Sequence, residues 1–489
     1  MYYPSVDKHM WRTAISRITE LKKEHVVYVL LLLMPIFMVT VRHWLSTFFG
    51  LIVLYSMAYM FSNNSLVLKV SRESNILRWV VAFIFGLSIF LLPFLLLPLF
   101  SESIRPWIAS LIGIIVLLAM IYYFRKESFV SSFAREEVIL FWAFGLFFLV
   151  FILTAVVNGW EKEQTRYLGN EIRYLLFIPV YLAIRQVPDA QKWLLTGLVF
   201  GILATFWEEI VNPDAHYYGR FIAVYGPLFT GPVTGLMAAI LLVQLKTIRN
   251  IWLGVAIVAA IFISIIPIVQ TDARSAFFVF PVLILISVLY LGKGVQKVFI
   301  MSMTVIVLIL LYSNVDKVNN RIGKAYTEYA QYFAYKNPAQ EATILTSVGL
   351  RIEMWRVTPS LFMENPVLGV GRGNYQKSAK QYTESKRFHR DIASHSHPHN
   401  AYSEMLISKG VVGLFVFFGI TLLPLVMLLR DYKKHAHSAI SGIVLITGYL
   451  LFSLVDASTF IKGNYIALYI VFLSVFFSYH IREKRLTTE

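Results

Sequence analysis

Long apolar runs separated by short polar segments dominate the hydrophobic pattern of the chain. A helix needs about 17 to 25 apolar residues to cross the hydrocarbon core of a bilayer. Fourteen runs are candidates, at 26–42, 45–62, 77–100, 106–124, 138–158, 173–185, 193–210, 227–245, 251–269, 275–291, 298–313, 410–429, 438–456 and 463–481. Because the sixth run is short and the first two are nearly continuous, the pattern predicts an all-α polytopic membrane protein with about 12–14 transmembrane helices.

Composition supports this prediction. Hydrophobic residues make up 57% of the 489 residues and charged residues only 15%, whereas soluble domains average about 45–50% and 25%. The 38 Phe, 27 Tyr and 10 Trp leave too much apolar surface for a disordered chain. The absence of Cys excludes disulfides, thiolate metal sites and a cysteine nucleophile.

The net charge of +16 would suit a nucleic-acid-binding protein, but in a membrane protein positive charge first sets orientation. If the N-terminus is cytoplasmic, the inside segments carry 23 Lys and Arg and the six short outside connections carry eight. Positive residues are retained on the cytoplasmic side. The counts therefore predict that both termini are cytoplasmic, and they give no reason to expect a nucleic-acid partner.

One polar segment, 314–401, is too long for a plain connection and is therefore expected to be functional. It holds 12 Lys and Arg against 7 Asp and Glu. Its periodicity predicts amphipathic helices at 318–335 and 350–364, followed by a tight turn at Gly369, Gly371 and Gly373. The chain thus divides into 1–172 and 173–313, both transmembrane, the loop 314–401 on the outside, and the transmembrane part 402–489.

Three arginines stand at predicted outer membrane boundaries: Arg173, Arg220 and Arg274. An arginine at such a depth is costly unless it is paired or faces a cavity. Each alone is equally well explained as an interfacial anchor or an ion pair, with Asp272 as the obvious partner of Arg274. Together they indicate an anionic ligand, and the planar guanidinium group suits phosphate because it binds with two parallel hydrogen bonds.

Four of the eleven histidines lie between His389 and His399. Alternating histidines at 395, 397 and 399 could chelate zinc, but no cysteine or suitably spaced carboxylate accompanies them, so we expect no metal site. His399 and Asn400 precede a segment that leads into the membrane as a helix. Asn400 and Glu404 share one helical face, which would fix the amide, and the His399 imidazole can act as a base near neutral pH.

The spacing after His399 carries a resemblance to a known family. His399 and Asn400 are followed by nine residues, Gly410, two residues and Gly413. This pattern at the end of a long outer loop resembles the signature of the O-antigen ligase family, which are bacterial membrane glycosyltransferases. The stretches 270–274, 347–351 and 365–371 resemble further family motifs, and the resemblance covers about 165–456.

The resemblance implies a GT-C-like fold of usually twelve spans with a periplasmic loop, in the inner membrane of a Gram-negative bacterium. It implies transfer of O-antigen from undecaprenyl pyrophosphate to a sugar hydroxyl of lipid A-core, with membrane lipids as surroundings and no cofactor. His399 would be the base, and Arg274 and Arg351 would stabilise the pyrophosphate. The candidates for substrate binding are Arg220, Arg173, Asn400 and Arg372.

Two kinds of alternative stay open. An O-antigen polymerase or a protein O-oligosaccharyltransferase shares much of the loop pattern. A flippase or secondary transporter is a different class, and two features oppose it. The ionisable residues gather at the outer face and not along a midplane path, and no inverted repeat is visible.

Overall fold

The computed structural model describes residues 24–40 and 133–487, except 218, 224, 249, 386, 335–345 and many positions within 292–314. The predicted spans 45–62, 77–100 and 106–124 lie outside the described residues. The helices that it describes in full are α1 Glu24–Thr40, α2 Arg135–Val157, α3 Lys162–Leu175, α4 Phe177–Arg185, α5 Ala190–Val211, α6 Pro227–Gln244, α7 Ile251–Gln270, α8 Arg274–Leu291, α9 Asp316–Ala334, α10 Ser347–Glu364, α11 Tyr375–Glu384, α12 Ala401–Ser453 and α13 Gly463–Leu486. Two short strands, β1 His216–Tyr217 and β2 Arg220–Phe221, form an antiparallel pair.

The described part is an all-α membrane protein, as the hydrophobic pattern predicts. Seven of its helices are long and apolar enough to cross a membrane: α2, α5, α6, α7, α8, α12 and α13. The most buried is α13, whose side chains from Ile466 to Phe477 lie at the centre of the helix bundle.

Helix α12 contains two crossings joined by a reversal at His435. The backbone there is non-helical, with φ of −126° and ψ of 38°. Tyr402 Oη donates to the Leu450 carbonyl at 3.0 Å across 48 residues of chain, a length that would span about 72 Å as straight helix. The halves are therefore antiparallel, as expected for the separate predicted spans 410–429 and 438–456.

Oppositely charged side chains meet at one end of the bundle. Arg185 Nε lies 2.8 Å from Glu137 Oε1, and Lys484 Nζ lies 2.8 Å from Asp431 Oδ2. The charge count assigns these segments to the same side of the membrane. We call this the inner end, and the opposite end, where the long loop packs, the outer end.

The predicted sixth span, 173–185, is wrong as a single helix. The structure has two helices, α3 and α4, that together run along α2 from the outer end to the inner end. Pro179 has no N–H for the Leu175 carbonyl, which explains the break at Leu176. With nine residues, α4 is only about 14 Å long and cannot cross alone. Arg173 thus lies in the last turn of α3 and does not begin a span.

A backbone clamp joins the glycine-rich turn of the loop to α12. Gly410 interrupts α12 with φ of 63° and ψ of −162°, so neighbouring backbone groups are not used within the helix. Val370 N–H donates to the Ile407 carbonyl at 2.8 Å, and Val411 N–H donates to the Pro366 carbonyl at 2.8 Å. We call the segments 366–371 and 407–412 the glycine clamp. It fixes the loop onto the helix that begins just after His399.

Candidate active site

His399 lies between the short 3-10 helix Arg390–Ser394 and α12, in a left-handed backbone conformation with φ of 51°. Its Nε2 lies 3.4 Å from His395 Nδ1. Its Nδ1 is buried and has no hydrogen-bond partner among the described residues. Burial, followed by the positive charge of Arg351, lowers the pKa of His399 to about 4. The imidazole is therefore neutral at neutral pH and holds an unused ring nitrogen.

Asn400 caps the N-terminus of α12. Its Oδ1 accepts the Ser403 N–H at 2.9 Å, and its Nδ2 donates to the Leu454 carbonyl at 2.9 Å. The expectation that Glu404 would fix this amide is wrong, because Glu404 is instead hydrogen-bonded to Arg372. Asn400 thus ties the two halves of α12 together beside His399. A contact with substrate stays a prediction.

Arg351 lies in α10 and acts electrostatically on His399. It is half-buried, and within the described ranges it has neither a hydrogen-bond acceptor nor an ion-pair partner. Burial lowers its pKa, and the carboxylate of Asp456 opposes that shift. One turn farther along α10, Trp355 donates from Nε1 to the Pro398 carbonyl at 3.1 Å. This bond holds α10 against residues 389–399, which we call the histidine segment. Arg351 is therefore a cation placed near the His399 imidazole and available to an anion.

Arg274 is paired with Glu328, not with Asp272 as its neighbourhood in sequence suggests. Its two Nη atoms each donate to one Glu328 carboxylate oxygen at 3.0 Å. The same carboxylate accepts the Val348 N–H at 3.2 Å, at the start of α10. Burial would raise the pKa of Glu328, but its hydrogen bonds and ion pair with Arg274 outweigh it, so that pKa is lowered. Arg274 therefore links α8 and α9 to the helix that carries Arg351.

Asp272 belongs to a neighbouring ion cluster. Its carboxylate Oδ2 lies 3.4 Å from Arg321 Nε and 3.7 Å from Arg220 Nε. Arg220 also donates to the backbone carbonyls of Thr271 at 3.2 Å and Asp272 at 3.1 Å. Burial lowers the pKa of Arg220, and the charges of Arg321 and Arg274 lower it further. Asp272 has a left-handed backbone conformation, with φ of 52°, and its carboxylate pairs with Arg220 and Arg321.

The structure brings four of the predicted residues into one electrostatic group at the outer end. Arg274 acts on both Arg220 and Arg351, and Arg351 acts on His399. Two predicted residues are not part of this group. Arg173 donates from Nη1 to Asn170 Oδ1 at 2.6 Å within α3.

Arg372, the second of these, is in a buried charge network. Only 1% of its side chain is exposed, it pairs with Glu404, and its Nε lies 3.5 Å from Glu171 Oε1. Lys409 Nζ lies 2.8 Å from Glu171 Oε2 and completes two positive and two negative charges. The network joins α3, the glycine-rich turn and α12, which favours a structural role for Arg372.

No group of three or more His, Asp or Glu in the described part of the chain is arranged to hold a metal ion. In the histidine segment, His397 uses its Nδ1 to accept the backbone N–H of His399 at 3.3 Å.

Comparison with known proteins fits this geometry. Residues 259–418 match the model of the family described as O-antigen ligase. This segment is therefore similar to the O-antigen ligase family. It is also 25% identical over 363 residues to an uncharacterized protein of Haemophilus influenzae, a match that covers 71% of this chain and 85% of that protein.

The matched O-antigen ligase segment contains Arg274, Arg351, Arg372, His399 and Asn400, whereas Arg173 and Arg220 precede it. Sequence reasoning missed Glu328, which holds Arg274, and Asp456, whose buried Oδ2 has no partner in the described structure. It also missed Glu171 and Lys409. A signal for these two was present, because each stands at the edge of a predicted span, where an ionisable residue is costly unless it is paired.

Proposed function

We propose that this protein transfers O-antigen polysaccharide from undecaprenyl pyrophosphate to a sugar hydroxyl of lipid A-core at the periplasmic face of the bacterial inner membrane. The observation that carries the proposal is the neutral His399, whose buried Nδ1 is free, beside the unpaired Arg351. The family match supports the class of enzyme. Both termini are cytoplasmic in this proposal, since the Lys and Arg counts place the long loop outside.

His399 is the general base in the proposed reaction. A sugar hydroxyl is a poor nucleophile at neutral pH, so removal of its proton by a positioned base accelerates attack. The hydroxyl proton passes to His399 Nδ1 as its oxygen bonds to the anomeric carbon of the donor. The bond between that carbon and the pyrophosphate oxygen breaks, and lipid pyrophosphate leaves. Direct attack from the opposite face inverts the configuration at the anomeric carbon.

Arg351 stabilises the negative charge that develops on the leaving pyrophosphate. A cation held in place in a partly water-excluded site needs no reorganisation as that charge develops. Arg274 supports it by holding Glu328 and, through it, the start of α10. No step requires a metal ion or a cofactor. The basic loop, with 12 Lys and Arg, contributes attraction for the anionic acceptor at the membrane surface.

Arg274→Lys is expected to lower ligation by about 10-fold or more. Lysine keeps the charge but loses one of the two hydrogen bonds to Glu328, and a charge-assisted hydrogen bond contributes about 1.5–3 kcal/mol. The measurement is the ratio of O-antigen-bearing to bare lipid A-core in a strain that lacks the native protein.

The matched variant is Glu328→Gln, which removes the other side of the same pair. If Arg274 acts through Glu328, both variants lose activity alike and the double variant is little worse than either. A direct contact between Arg274 and the donor predicts instead that Glu328→Gln leaves ligation intact, and that result would contradict the supporting role.

Deletion of the gene tests the proposed function itself. Loss of a ligase is expected to leave bare lipid A-core while lipid-linked O-antigen accumulates. Loss of a polymerase would instead leave core capped with one repeat unit. Lipopolysaccharide of normal length and amount after deletion would exclude both activities, and complementation with the native gene is the control.

A further inference from the structure

We propose that His395 is a positioning residue for His399: its Nδ1 accepts the Nε2–H of His399 and fixes the tautomer that leaves His399 Nδ1 free to take a proton. This inference rests on the proposed function, because it concerns the base of that reaction. The two imidazole rings lie edge to face, with centroids 5.3 Å apart and an interplanar angle of 75°. The two nitrogens concerned are 3.4 Å apart.

The tautomer follows from the partners of each nitrogen. A neutral imidazole carries one N–H, and its other nitrogen is an acceptor. His399 Nδ1 has no partner in the described structure in either tautomer, but unpaired buried N–H donors are rarer in proteins than unpaired acceptors, so a proton on Nδ1 is disfavoured. A proton on Nε2 meets His395 Nδ1. The arrangement therefore favours the form in which Nδ1 can act as the base.

The charged groups around His395 keep it able to accept. Burial lowers the pKa of His395, the positive charge of Arg351 lowers it further, and the carboxylate of Asp391 partly opposes both. His395 is therefore neutral at neutral pH. Once protonated, its Nδ1 becomes a donor and can no longer accept from His399. Loss of activity in acid should then include the titration of His395.

His397 acts differently, although it lies closer to the family signature. Its ring centroid is 4.4 Å from that of His399, and its Nδ1 accepts the backbone N–H of His399 at 3.3 Å. It therefore holds the backbone and not the ring. Of the neighbouring histidines that the structure describes, His395 is the one bonded to a ring nitrogen of His399.

The test compares His395→Asn with His395→Gln. The side-chain oxygen of asparagine can occupy the place of Nδ1, because both are bonded to Cγ, whereas that of glutamine is one carbon farther out. We expect His395→Asn to keep kcat within about 3-fold of the native value. We expect His395→Gln to lower kcat by about 10- to 100-fold, because His399 Nε2 loses its buried hydrogen-bond partner. KM should change little in both variants. Because asparagine does not titrate, the acid limb of the pH profile of kcat should lie at lower pH and be less steep for His395→Asn than for the native protein.

His437→Asn is the matched control, since His437 lies near Tyr479, far along α12 from His399. Equal loss in the Asn and Gln variants, with an unchanged acid limb, would reduce His395 to a structural role and overturn the proposal. Native kcat in both His395 variants would overturn it as well. If His399→Ala is inactive in the same assay, such results contradict only the role of His395 and leave the proposed function standing.

Discussion

Replacement of His399 by alanine is expected to leave the protein in the membrane at its normal level and to abolish detectable ligation. A positioned general base contributes about 100- to 10,000-fold to the rate, and the buried Nδ1 of His399, a residue on which Arg351 acts, has no partner in the described structure. The measurement is the fraction of lipid A-core that carries O-antigen in a strain without the native protein. Lipid-linked O-antigen should accumulate in parallel.

The backbone of His399 calls for a second variant. With φ of 51°, this residue is in the left-handed region, which asparagine tolerates better than alanine. His399→Asn therefore removes the base with less backbone strain, and it should be as inactive as His399→Ala. His437→Ala serves as the control at the inner end. Near-normal ligation by either His399 variant would remove His399 from the role of base.

The pH dependence of the free enzyme provides a further check on this residue. Burial and Arg351 lower the pKa of His399 to about 4. A base with a lowered pKa is active above that pKa and is lost as pH falls through it. Protonation of His399 itself should therefore reduce kcat/KM only as pH falls towards about 4.

Hydrophobic pattern was sufficient to predict most of the described membrane helices, because a span is a local property of about 20 residues. It failed at 173–185. There two consecutive helices, the polar α3 and the short α4, run across the bundle along α2. The length of the apolar run does not reveal that arrangement. The buried Glu171 in α3 is neutralised by Lys409 and Arg372, which are distant in sequence.

The candidate site shows the same limit at the level of single residues. His399 could be identified because its motif is contiguous with the start of α12. The partner of Arg274 could not, because Glu328 is 54 residues away while Asp272 is two residues away. Asp272 is nevertheless turned towards Arg220 and Arg321. Arg372 was an equally plausible ligand from its loop position, and only packing shows that it is buried.

Gly410→Ala is expected to prevent stable folding. With φ of 63° and ψ of −162°, Gly410 occupies a region that is nearly restricted to glycine, at a cost of about 1–3 kcal/mol for other residues. An added Cβ would lie 2.3 Å from the Val367 carbonyl oxygen and 2.7 Å from Leu368 N. Both are backbone atoms of the glycine clamp, so relief requires the clamp to open. The measurement is the yield and thermal unfolding of purified protein in detergent.

Gly419→Ala is the matched control in the same helix. Its Cβ would meet Ala143 Cβ at 3.5 Å, an ordinary contact, and alanine within a helix is favoured over glycine by about 0.5–1 kcal/mol. This variant should be as stable as the native protein or more so. Equal stability of the two variants would contradict the clamp. The expected difference in stability would show that Gly410, the first glycine of the signature, anchors the loop on α12. His399, eleven residues before Gly410, is thereby held in place beside Arg351.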